Sequence, residues 1–103
     1  MINALADLTR AVRDAIAEAE VVRSHAQKNG IAWMTEDAEM TMGNLSALDR
    51  QIQGSSLASC QGVGLSFGRG VSEWATGHAI AERLMNLAYE IDDQYAKWVN
   101  GDA

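Results

Sequence analysis

The sequence predicts an all-α fold: a three-helix bundle with long helices over about 3–29 and 72–100, a shorter helix over about 36–53, and a glycine-rich extended loop over 54–70. Three observations predict it. Proline is absent while Ala, Leu, Glu, Asp and Arg abound, so the strongest helix breaker is missing and good helix formers are plentiful. Apolar residues recur at helical spacing in two long stretches, and an Asn-Gly pair closes each of them.

In the first stretch Leu5, Val12, Ala19 and Ala26 recur every seven residues, with Leu8, Ala15 and Val22 between them. Ile2 and Ile16 widen this seam into the broader stripe of a core-facing helix. Asn29-Gly30 supplies the stop, glycine being suited to the left-handed position beyond a helix end. Thr35 is the expected cap of the second helix, with Glu36, Asp37 and Glu39 set against the positive end of the helix dipole. Its apolar face is Ala38, Met42, Leu45, Leu48 and Ile52, Gly43 interrupts it, and Gly54 ends it. Ser72 followed by Glu73 is the expected start of the third helix. Trp74, Ala81, Ala88 and Tyr95 recur there by seven, with Gly77, Leu84, Ile91 and Trp98 between them. Small residues on both long seams let helix axes approach, so the two long helices are expected to pack antiparallel.

Residues 55–70 carry no helical pattern and hold Gly62, Gly64, Gly68 and Gly70. Val63, Leu65 and Phe67 alternate with small residues in strand fashion, with no second strand to pair with. Loops of this length in compact domains tend to be functional or disordered, so the segment is read as a core-packed extended loop, a flexible segment or an edge that pairs with another chain, and as a candidate contact surface.

At 103 residues the chain has room for one core, and a single helical domain over 1–103 is expected. The net charge of −6 and a pI near 4.7 argue against direct binding to nucleic acid or an anionic membrane, and favour a protein partner with a basic surface. Residues 1–30 are balanced, four acids against four bases, so the negative excess belongs to Glu36, Asp37 and Glu39 and to Glu90, Asp92 and Asp93. Arg10, Arg13, Arg23, Arg50 and Arg83 interrupt the acids, so no helix carries a continuous phosphate-like row. With Cys60 alone no intramolecular disulfide can form, and a cytoplasmic setting is expected. No signal peptide or membrane span is read.

Catalytic and metal patterns are weak. Gly64-Leu65-Ser66-Phe67-Gly68 matches the Gly-x-Ser-x-Gly nucleophile elbow, but that turn belongs above a parallel sheet and needs an acid and then a histidine well downstream. Gly62-Val63-Gly64 with Gly68 falls short of a dinucleotide fingerprint, since no strong strand precedes it, no βαβ unit surrounds it and Phe67 stands where its third glycine belongs. His25 and His78 flank the long helices, and with Cys60 they lack ligand spacing. No enzyme activity, cofactor or metal is expected.

Among the aromatic residues Trp74, Tyr95 and Trp98 fall on the core line, whereas Trp33 sits in a connector and Tyr89 off the seam. Trp33 and Tyr89 are therefore candidate partner contacts, together with Glu36, Asp37, Glu39, Leu65, Phe67, Glu90, Asp92 and Asp93. Tyr89-Glu90-Ile91-Asp92-Asp93 resembles the C-terminal Tyr-x-x-x-Asp/Glu signal of the small helical-hairpin substrates of type VII secretion. The Trp-x-Gly turn of that family is missing, since the chain has Trp74-Ala75-Thr76-Gly77 in an expected helix, and membership is not assigned.

The function expected from these features is protein binding. The chain reads as a small acidic inhibitor or accessory factor of phage or mobile-element type, anti-CRISPR-like, docking on a basic partner with Trp33, Tyr89 or the glycine-rich loop as apolar anchor. The alternative is a self-associating helical subunit, a homo-oligomer or secretion-substrate-like hairpin.

Overall fold

A computed structural model describes residues 4–54 and 66–99, and among them the chain is all-α with no strand. Helix α1 runs Ala4–Lys28, α2 Ala32–Gly54, α3 Phe67–Ala75 and α4 Glu82–Val99, with a 3-10 turn at Ala79–Ala81 leading into α4.

The end of α1 is closed as its Asn-Gly pair demands. Gly30 takes φ +67, its N–H donates to the Gln27 carbonyl at 3.3 Å, and the Ile31 N–H reaches back to the Ala26 carbonyl at 2.9 Å. Those two bonds form a Schellman closure, and Ile31 packs onto the core beyond it. The chain turns at once into α2, which begins earlier than the expected cap. Thr35 lies inside the first turn, where its hydroxyl donates to the Ile31 carbonyl at 3.0 Å instead of capping free N–H groups.

The expected helix over about 72–100 is two helices. A type II turn divides it: Thr76 has φ −58 and ψ 129, Gly77 has φ +87, and the His78 N–H donates to the Ala75 carbonyl at 3.0 Å. Gly77 is thus the residue such a turn requires at its third position, and not a small side chain on a helical seam. Trp74-Ala75-Thr76-Gly77 accordingly ends a helix rather than sitting inside one. The first of the two helices also starts ahead of Ser72, at Phe67, so 67–70 of the expected loop are helical. Val63 and Leu65 of the expected extended run, and the rest of 55–65, lie outside the described residues.

Helix α1 lies between α2 and α4 and packs extensively on both. Its seam is sealed: Leu8, Val12, Ala15, Ala19, Val22 and Ala26 have no exposed surface, and Ala11 joins them. Direction follows from cross-links. Gln53 bonds to Thr9 at 2.9 Å and Arg13 pairs with Asp49 at 3.6 Å, so α2 runs back along α1. Arg83 pairs with Glu18 at 3.1 Å, while His25 and Ala79 border one depression, so α4 also runs antiparallel to α1. Helix α3 packs on α4 and makes few close contacts with α2. The buried side chains form one cluster that includes Met34 and Leu48 from α2, Val71 and Ala75 from α3, and Leu84, Ile91 and Tyr95 from α4.

Candidate functional site

Helix α3 is fixed to α4 at its first turn. Ser66 occupies the cap position but its side chain makes no capping hydrogen bond. Asp92 of α4 does that work from a distance, its two carboxylate oxygens accepting the Phe67 and Gly68 N–H groups at 2.9 Å each. These are donors that a helix start leaves without intrahelical partners. Burial pushes the Asp92 carboxyl above its ordinary value, and the two N–H bonds pull it part of the way back. One turn earlier on α4, the Tyr89 ring lies against Gly68 so closely that a Cβ there would sit 2.5 Å from its Cγ and 2.6 Å from its Cε1. Asp92 and Tyr89, both expected as partner contacts, are therefore engaged within the chain, although Tyr89 remains 51% exposed.

The rest of the α4 acidic group divides. Asp93 pairs with Lys97 at 3.1 Å on the surface, and Glu90 is exposed. On α2, Glu36 and Glu39 are exposed and Asp37 is half-buried. Trp33, expected in a connector, lies instead in the first turn of α2, where it is 45% exposed and meets the His78 ring edge-on with centroids 5.2 Å apart. Phe67 is half-buried as the first residue of α3. Leu65 lies outside the described residues, as does Cys60.

Because α3 sits on α4 and barely approaches α2, an open groove of about 580 Å³ remains between α2 and α3. Asp37, Met40, Thr41 and Asn44 form the α2 wall, and Phe67, Gly70, Val71 and Trp74 form the α3 wall, with Ser66 and Glu73 at the margin. Met40 is 63% exposed, the most exposed large apolar side chain among the described residues. Of the expected contact residues the groove gathers Asp37 and Phe67. Sequence reasoning missed Met40, Asn44 and Gly70; Trp74, expected on the core line, is half-buried against the core and also faces the groove. The i, i+3, i+4, i+7 spacing of 37, 40, 41 and 44 could have marked a second face on α2, but Asp and Asn within it obscure an apolar stripe.

Ser66 has no histidine beside it in the groove. His25 and His78 border a separate depression at the C-terminal end of α1, lined also by Ile31, Met34 and Ile80. Among the described residues no group of three or more His, Cys, Asp or Glu is placed to hold a metal ion, and no helix is long and apolar enough to cross a membrane. No family model, curated protein or solved structure matches the chain.

Proposed function

We propose that the chain is a non-enzymatic protein-binding module that docks an acidic face on a basic partner, as an inhibitor or accessory factor. The observation that carries this reading is the outer face of α2, where exposed Trp33 and Met40 flank Glu36, Asp37 and Glu39. Apolar and aromatic groups supply the desolvated centre of such a contact, and surrounding carboxylates steer a cationic surface toward it. The α2 acids are better suited than those of α4, because Asp92 is occupied at the start of α3 and Asp93 pairs with Lys97.

Affinity capture from the native host, repeated at increasing salt and with Glu36→Lys plus Glu39→Lys, tests the reading. The expected partner is basic, is released as salt shortens the screening length to roughly 3 Å near 1 M, and is lost with the double reversal. A partner held equally by the reversed chain and at high salt would overturn it.

A further inference from the structure

We propose that the groove between α2 and α3 seats one amphipathic helix of a partner protein, apolar on the inserted face and carrying Lys or Arg along its edges. The proposal rests on the protein-binding reading and names the place and chemistry of the contact.

The groove walls are two helical ridges. On α2 the facing positions are 37, 40, 41 and 44, and on α3 they are 67, 70, 71 and 74, each following the i, i+3, i+4, i+7 rhythm of one helix face. Two such ridges held apart offer a third helix the holes into which its own side chains fit. An extended peptide has nothing to pair with here, since no strand occurs among the described residues and helical walls use their own backbone N–H and C=O groups. The eight positions from 37 to 44 cover about two helical turns, so the occupant presents apolar anchors at i, i+3 or i+4, and i+7.

Met40, Phe67, Val71 and Trp74 supply the apolar surface, and Met40 is a side chain able to repack around different anchors. Gly70 leaves a vacant notch: nothing lies within 4 Å of where its Cβ would stand. Charge fixes the sign of the occupant. The ionisable residues lining the groove are Asp37 and Glu73, both acidic. Among the described residues Glu73 pairs with exposed Arg69 at 3.9 Å, and the Asp37 carboxylate enters none of the ion pairs. The neighbouring depressions carry mixed charge instead, Arg10 and Arg13 with Asp14 in one, Arg83 with Glu82 and Glu90 in the other.

The test uses the full chain and a designed helical peptide with Leu at i, i+3, i+4 and i+7 and Lys on its flanks, beside the same peptide with Glu in place of Lys. Binding is read by amide chemical shifts and titration calorimetry, for the wild type and for Gly70→Leu, which fills the notch while replacing glycine by a good helix former. The expected result is that the Lys peptide shifts residues 37–44 and 67–74 and the Glu peptide does not. In Gly70→Leu, affinity falls at least tenfold while the melting temperature is no lower than wild type. No binding of the Lys peptide, shifts that map outside the groove, or an affinity indifferent to Gly70→Leu would each overturn the proposal. A Gly70→Leu chain that melts lower would mean that the protein's own residues fill the notch, and wild-type self-association abolished by the same change would make a second copy the occupant. Either result also overturns it. A captured partner that responds to Glu36→Lys with Glu39→Lys but ignores Gly70→Leu sinks the groove and leaves the protein-binding reading standing. The reverse pattern sinks the acidic face alone.

Discussion

Gly68 at the start of α3 and Tyr89 on α4 are in close contact, with the Tyr89 ring filling the place that a side chain at position 68 would need. The contact brings α3 close enough for Asp92, three residues along α4, to reach the Phe67 and Gly68 N–H groups. Position 89 and position 92 share a helix face, so α3 is gripped by a ring and a carboxylate stacked one turn apart.

Replacing Gly68 by alanine forces the Tyr89 ring to swing outward or α3 to lift, and overpacking of this kind costs about 1–3 kcal/mol. The ring is half exposed, so rotation toward solvent is open to it and relieves part of the clash. Urea unfolding followed by circular dichroism should show the loss for Gly68→Ala and its partial recovery on adding Tyr89→Ala, with a coupling of at least about 0.5 kcal/mol. Strictly additive effects would mean that the two residues do not press on each other.

Asp92 gives stability a pH dependence of definite sign. Its carboxyl is raised in the folded chain above its ordinary 3.8, chiefly by burial, so the folded state holds that proton more tightly than the unfolded state. The contribution is therefore fully present below 3.8 and is lost as pH rises through the higher folded value. Comparing wild type with Asp92→Asn from pH 3 to pH 7 isolates this group, because the other carboxylates are common to both chains. Wild-type stability relative to the variant should decline across acid pH and level off toward neutrality. A difference that instead grows in favour of the wild type as pH rises would show that the two N–H bonds outweigh burial.

Gly77 carries its turn through backbone conformation alone. At φ +87, with nothing within 4 Å of where its Cβ would stand, the cost of alanine there is one of conformation and not of collision. Gly77→Ala should lower stability by about 1–2 kcal/mol, and Gly77→Asn by less, since asparagine tolerates left-handed φ better. Equal losses for the two, measured by thermal unfolding, would point to a role of this position other than the turn.

Most of the all-α architecture was legible, and the reasons are local. The α1 seam needs only its own period, and Asn29-Gly30 announces a closure made entirely within six residues, Ala26 to Ile31. The break at Gly77 was hidden because Trp74, Gly77, Ala81 and Leu84 stay on a helical rhythm across a type II turn that interrupts the helix. The start of α3 was hidden for a different reason: its cap, Asp92, stands 24 and 25 residues away from the groups it holds. Long-range capping has no local spacing to read. The same fact explains why Tyr89 and Asp92 looked like free surface groups and why the groove, which exists only because α3 rides on α4, could not be drawn from either wall alone.

Ala19 offers the cleanest test of how closely the helices meet. It has no exposed surface on α1, the helix that packs against both α2 and α4, while Ala17 two residues away faces solvent. Alanine and leucine differ little in helix propensity, so a leucine at either position reports packing and not local structure. Ala19→Leu should cost about 1–3 kcal/mol or more, because a sealed alanine seam has no room for the added carbons without separating helix axes. Ala17→Leu should stay within about 0.5 kcal/mol of wild type. The two chains differ only in which side of α1 carries the new side chain, so denaturation midpoints that move equally would contradict a close-packed seam and would place the interhelical contact on larger residues such as Leu8 and Val12.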